Sequence, residues 1–294
     1  MKIKRTLAET CFNIFNILLL TAVALCTLYP LWHVFFASFS DPALLAKHTG
    51  AILRPLGLSF DAYKAVFAKT EIWIGYGNTI FYLVVGTAVN MIVTVPMAYM
   101  LSKGNELIMP KYIMMGIVFT MYFSGGLIPL YLIVKGLHLT DTRWAVIFPT
   151  ALSTFNLIIM RTAFVSLPKE LEEAARIDGA GILIILVKVV LPLVKSTMAV
   201  IVLYYAVAQW NQWFQAMIYL RNQSMYPLQL FLRDILIENE SNDMMVGVTT
   251  GNQQSLYEAI KYATIVIATL PILLLYPFLQ KYFVQGVMIG AVKG

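Results

Sequence analysis

Six runs of roughly 20 mostly apolar residues, 14–36, 79–101, 112–134, 145–164, 198–218 and 260–278, set the terms for any fold of this chain. As helices rising ~1.5 Å per residue, each would cross the ~30 Å hydrocarbon layer of a bilayer. Lipid offers no partner to an open backbone N–H or C=O, so a span must be a helix or a strand of a closed barrel. Barrel strands read as ~10-residue segments of alternating polarity, a pattern these runs do not follow. Composition agrees with the helical choice: 60% of residues are apolar and 12% charged, against about half and about a quarter in soluble domains. The sequence therefore predicts an all-α polytopic membrane protein with six transmembrane helices. It reads as a single transmembrane domain over residues 1–294, with core spans within about 79–281. Pro30, Pro96, Pro129, Pro149, Pro271 and Pro277 fall in or near the runs, where they are expected to kink helices rather than end them.

A net charge of +6 in a soluble chain would suggest nucleic acid. Here the cations flank apolar runs, where they set orientation, and no nucleic-acid role is assigned. With the N-terminus inside, twelve of the 21 Lys and Arg residues lie on that side, beside span ends in short loops. Six crossings then place both termini in the cytoplasm. Lys2-Ile3-Lys4-Arg5 precedes an apolar run that continues to about Phe39 without a convincing cleavage site, so the segment reads as an uncleaved first span. Cys11 and Cys26 both fall in that run, without zinc-site spacing or a disulfide context, and read as packing residues.

Several chemistries are excluded by pattern. The sequence has no Gly-x-x-x-x-Gly-Lys-Ser/Thr loop to cradle nucleotide phosphates. His33, His48 and His138 are scattered, without His-Glu-x-x-His spacing or a partnered carboxylate. None of the six runs holds a central Asp or Glu, which argues against an ion-coupled carrier and against a membrane-embedded hydrolase.

Apart from Arg161 and Lys261 near run ends, the polar residues inside the runs are uncharged, among them Asn90, Thr94, Asn156, Gln209, Asn211, Gln212 and Gln215, with Tyr204, Tyr205, Trp210 and Trp213 nearby. Amides pair with hydroxyls and aromatic faces cover the C–H surface of sugar rings. Asn156, Tyr205, Gln209, Trp210, Asn211 and Trp213 are accordingly the candidate lining of a substrate pathway. The alternative is that the amides join helices to one another and the Trp residues anchor at the interface.

One charged island, residues 166–193, interrupts the apolar runs. Pro168 suits a first helical position, Glu170, Glu172 and Glu173 crowd the positive end of the helix that follows, and Gly179 supplies a turn. The island reads as helix, turn, helix, with Glu172 and Arg176 spaced for mutual support. Glu173-Ala174-Ala175, then Asp178-Gly179-Ala180, then Leu191-Pro192 resemble the EAA loop of ABC importer permeases. The resemblance implies a cytoplasmic coupling segment in which Glu172, Glu173, Ala174, Ala175, Asp178, Gly179, Ala180, Leu191 and Pro192 meet a separate ATPase. Residues 181–186 are more apolar than that family's usual stretch.

Further matches accumulate in order. Ala98-Tyr99-Met100-Leu101-Ser102-Lys103, then Gly126-Leu127-Ile128-Pro129-Leu130-Tyr131, then Leu139-Thr140-Asp141-Thr142 are similar to carbohydrate-importer permeases. Residues 276–294 resemble the second permease subunit of that group, most closely the branch handling complex polysaccharides such as pectin-derived oligosaccharides. Residues 219–257 form a long outer segment whose Leu228, Phe231, Leu232 and Ile235 share one helical face. By resemblance this segment reaches toward a binding protein. The family implies a second permease subunit, two cytoplasmic ATPase subunits, an extracytoplasmic sugar-binding protein and an oligosaccharide substrate in the cell membrane. ATP and Mg would then reside on the partner ATPase, with no cofactor or metal on this chain. A permease for a non-sugar solute is the alternative.

Overall fold

The computed structural model describes residues 7–104, 110–244 and 255–274. Among them the secondary structure is helical, as the six apolar runs require. Residues 276–294 and the polar segment 245–254 lie outside the described residues. The chain divides into two compact units, Met1–Thr70 with Leu232–Leu270, and Glu71–Phe231 with Pro271–Gly294.

In the first unit, α1 (Leu7–Ser38) runs through Pro30 without a break and buries only Ala37 and Ser38. Cys11 and Cys26, expected to be packing residues, are both exposed on it and are not packed by the described residues. Beyond α1 the backbone turns into α2 (Pro42–Lys47), whose Asp41 carboxylate accepts from the Ala43 and Leu44 N–H groups while Pro42 takes the first helical position. The following α3 (Asp61–Phe67) returns to the end of α1, where Tyr63 and Ser38 share a 2.8 Å hydroxyl hydrogen bond. Tyr262, on the last described helix Ser255–Leu274, meets His33 edge-on at 5.8 Å.

The second unit is built on α4 (Thr70–Ser102), one continuous helix of 33 residues that carries Pro96 and a π-helical turn at Tyr82–Gly86. Three of the expected spans, by contrast, are broken. After α5 (Pro110–Tyr122) the chain bends by 112° into α6 (Leu127–Gly136), because Gly126 at φ +91° adopts a conformation that a helix cannot continue. The fourth run becomes α7 (Arg143–Ile147), a 3₁₀ turn at Phe148–Thr150 and, 52° away, α8 (Thr154–Val165). Ser153 starts α8 as its cap, accepting from the Asn156 N–H. Pro149 thus sits where a helix ends, whereas Pro30 and Pro96 lie inside continuous helices.

The charged island forms α9 (Glu170–Ile177), a turn, and α10 (Ile182–Leu193), whose middle is π-helical. Pro168 lies ahead of the Lys169 cap, not at the first helical position, a shift of the kind usual at helix ends. An 89° bend at Val194 leads into α11 (Lys195–Trp210), which ends before residue 218 because Asn211–Trp213 leave the helix and α12 (Phe214–Tyr219) restarts it. Beyond lies α13 (Leu228–Met244), in which Leu228, Phe231, Leu232 and Ile235 are all buried, as their spacing predicts. Helices α4, α8, α10 and α11 enclose the main core around Ala98, Leu157, Met160, Val190 and Ile201.

On the loop between α6 and α7, Asp141 holds φ +59° and accepts from the Arg221 and Asn222 N–H groups at 2.9 and 3.0 Å. Those two donors, Arg221 first, hold its carboxyl below the ordinary range. Asn78 fastens the same chain segment: its amide donates to the Ser224 and Tyr226 carbonyls while its oxygen accepts from Arg143.

Candidate functional site

Two of the breaks, at residues 148–153 and 211–213, frame one cavity of about 620 Å³. Pro149, Thr150, Leu152 and Ser153 come from the first break, Asn211 to Gln215 from the second, and Asn90 from α4. A helix that stops inside an apolar layer leaves carbonyl groups without intrahelical donors, and these must be met by side chains. The amides supply them. Asn90 donates to the Thr150 carbonyl at 2.9 Å and Gln212 to the Val146 carbonyl at 2.7 Å. Asn211 caps its own helix through the Val207 carbonyl at 2.9 Å.

Of the six pathway candidates, the cavity brings together Asn156, Tyr205, Gln209, Asn211 and Trp213. Trp210 is absent from this lining. It is buried, and its ring lies 6.5 Å from that of Tyr76. Tyr205 uses its hydroxyl structurally, sharing a 2.7 Å hydrogen bond with Thr94 and accepting from the Ser153 N–H at 3.0 Å. Gln209 is buried, donates to Asn90 at 3.3 Å, and leaves its carbonyl oxygen without a donor. Sequence reasoning missed the backbone contribution of residues 149–153. The signal was there in Pro149 followed by a serine cap, a pairing that ends one helix and starts another.

At the other end of the same core, Glu172 is buried between α9 and α4. It accepts from the Tyr99 hydroxyl at 2.9 Å and pairs with Lys103, whose ammonium also lies over the Tyr99 ring. Both partners belong to the Ala98–Lys103 motif, so two separately noticed segments are one contact. Of the other island residues, Glu173, Ala174, Asp178, Gly179 and Pro192 are exposed, while Ala175, Ala180 and Leu191 are half-buried. Gly179 turns the chain at φ +79°, and a Cβ there would meet nothing within 4 Å. Leu171, Ile177 and residues 182–184 are exposed too, an apolar and acidic surface that the described residues do not cover. Among the described residues no group of His, Cys, Asp and Glu is arranged to hold a metal ion.

Comparison with known proteins places this architecture. Residues 72–289 match the family described as the binding-protein-dependent transport system inner membrane component. The chain is 43% identical to Protein LplC of Bacillus subtilis (strain 168), covering 98% of this chain and 97% of that protein. It is 42% identical to the polygalacturonan/rhamnogalacturonan transport system permease protein YtcP of the same organism, covering 96% and 97%. Among solved structures, a chain from the crystal structure of a bacterial ABC transporter involved in the import of the acidic polysaccharide alginate superimposes with a TM-score of 0.85. That match has 36% sequence identity and covers 96% of this chain and 100% of that one. With breaks, cavity and charged helix all carried on the matched residues, the chain belongs to the binding-protein-dependent transport system inner membrane component family, a permease and not an enzyme.

Proposed function

We propose that this chain is one of two permease subunits of an ATP-driven importer of oligosaccharides in the cell membrane, with both termini cytoplasmic. A related permease chain completes the pathway, two ATPase subunits dock on the cytoplasmic face, and a sugar-binding protein delivers substrate outside. ATP and Mg belong to the ATPase subunits. The relatives' names support a polysaccharide-derived substrate.

The observation that carries the reading is that α4 bears both ends of the machine. Asn90 lines the cavity and Tyr99 holds Glu172, nine residues further along, ~13 Å of helix. Force applied to α9 by closing ATPase subunits would enter α4 through the Glu172 contact and reach the carbonyl groups of the α7 break through Asn90. The cavity wall is bistable in principle because its backbone is already interrupted and is held by side-chain hydrogen bonds, which exchange more easily than a helical ladder.

The test is purification of the assembled complex followed by uptake in proteoliposomes. ATP-dependent glycan uptake that needs both the binding protein and the ATPase subunits is expected. Uptake by this chain without nucleotide would overturn the reading.

A further inference from the structure

We propose that a second cavity, where α1, the loop after α2 and the last described helix meet, binds the headgroup of a zwitterionic phospholipid, with Lys261 meeting its phosphate and Glu258 its ammonium group. The cavity has a volume of about 460 Å³, belongs wholly to the first unit, and shares no residue with the cavity at the helix breaks. The proposal requires only that α1 and Ser255–Leu274 cross a bilayer, and both are long and apolar enough to do so. It is therefore independent of the oligosaccharide reading.

The apolar runs set the depth of this cavity. The first run ends at residue 36 and the sixth begins at residue 260. His33 lies three residues, ~5 Å of helix, inside the first of these ends, and Lys261 and Tyr262 stand at the other. Such ends are where hydrocarbon gives way to headgroups, and Tyr29, Trp32, Tyr257 and Tyr262 gather there as interfacial aromatics do. Trp32 donates its indole N–H to the Leu53 carbonyl at 3.2 Å, tying the loop to α1. Buried Leu45 and Ile52 give the cavity an apolar side. Tyr29 and Leu25, four and eight residues before His33 on the same side of α1, are exposed, so acyl chains have an apolar track to follow away from the headgroup.

The charges select the headgroup. Among the described residues the lining carries one Lys, one Glu and two His, so with neutral imidazoles it sums to zero. Glu258 and Lys261 are three residues apart on one helix and share a face, their Cβ atoms about 5–6 Å apart. A headgroup with a phosphate next to an ammonium group returns an opposite charge to each. A phosphate without the amine serves Lys261 and repels Glu258, and an uncharged sugar ring offers neither charge a counterpart. Pairing of Glu258 with Lys261 themselves is no obstacle, because Glu258 is exposed and exposed pairs are weak enough to open. His33, whose Nδ1 lies 3.4 Å from the Tyr29 hydroxyl, and His48 add ring nitrogens that can donate to phosphate oxygens.

Native mass spectrometry of the purified transporter complex tests this without any uptake measurement. The delipidated complex is offered equal amounts of phosphatidylethanolamine and phosphatidylglycerol with identical acyl chains. Wild type is expected to retain more phosphatidylethanolamine. Glu258→Gln should shift the ratio toward phosphatidylglycerol by about fivefold, the upper end of what one exposed ion pair contributes, and Glu258→Lys should shift it further. Lys261→Gln should lower retention of both lipids. Glu258 is exposed, so its variants keep the fold, which thermal unfolding of each preparation checks. A ratio left unchanged by both Glu258 variants overturns the proposal. So does displacement of the lipid by a soluble oligosaccharide, which would make the cavity a sugar subsite. Glycerophosphoethanolamine, the same headgroup without chains, should compete only weakly, and competition equal to that of the intact lipid would make the occupant a soluble phosphate ester and overturn the lipid assignment.

Discussion

The Tyr99 hydroxyl donates to the Glu172 carboxylate at 2.9 Å, joining the last turn of a 33-residue helix to the first turn of the charged one. Lys103, one turn beyond Tyr99, pairs with the same carboxylate, and the side chains of Lys103 and Glu172 are only 19% and 11% exposed. Removing the acid leaves a nearly buried ammonium without its partner. Glu172→Ala is expected to cost about 3 kcal/mol, the low end for breaking a buried pair. Glu172→Gln, which still accepts from Tyr99, should cost less. Thermal unfolding of the purified complex measures the first effect. The ratio of ATP hydrolysed to solute moved measures coupling, which both variants should worsen.

Gly179 is a matter of backbone. A side chain there has open space but the wrong φ, at ~1–2 kcal/mol for an ordinary L-residue. Asn tolerates that conformation better than Leu does. Gly179→Asn should retain more transport than Gly179→Leu, and Gly179→Leu should still insert into the membrane while co-purifying less ATPase. Equal loss in both variants would show that the surface outside the turn, and not the turn itself, is what the ATPase reads.

Gly86 and Gln209 form a steric pair. Gly86→Ala puts a Cβ 2.7 Å from the Gln209 amide, so the tip of that side chain must move and give up its 3.3 Å bond to Asn90, at a cost of about 1 kcal/mol. Gln209→Ala clears the space, so Gly86→Ala should cost much less in that background. A double-mutant cycle on unfolding temperature would show the coupling, and additive effects would mean the contact is slack.

Asp141 gives a pH dependence. Its carboxyl is held below the ordinary range by the Arg221 and Asn222 N–H groups. Its contribution is therefore fully present above an unfolded value of about 4 and fades as pH falls through the lower folded value. Asp141→Asn keeps an acceptor and tolerates the positive φ, so it should lie close to wild type at neutral pH and lose the acid-limb dependence. Asp141→Ala should lower the unfolding temperature at neutral pH.

Much of this was legible in residues alone. Apolar length demands helices because lipid cannot satisfy open backbone, and the alternation of Glu, Ala, Asp and Gly in the island demands a short charged helix with a glycine turn. The stripe of Leu228, Phe231, Leu232 and Ile235 needed only its spacing. What spacing could not reveal was where the long runs break. Hydropathy over residues 112–134, 145–164 and 198–218 is the same whether the helix continues or bends. The outcome turns on whether a neighbour can satisfy the carbonyl groups a break exposes. Asn90 and Gln212 do so from α4 and from the α11–α12 break, across 60 and 66 residues of sequence. The same holds for Glu172, whose partners lie 73 and 69 residues away. Local pattern decides which segments become helices; at the break between α7 and α8 it is partners distant along the chain that meet the exposed carbonyl groups, and the cavity forms against that break.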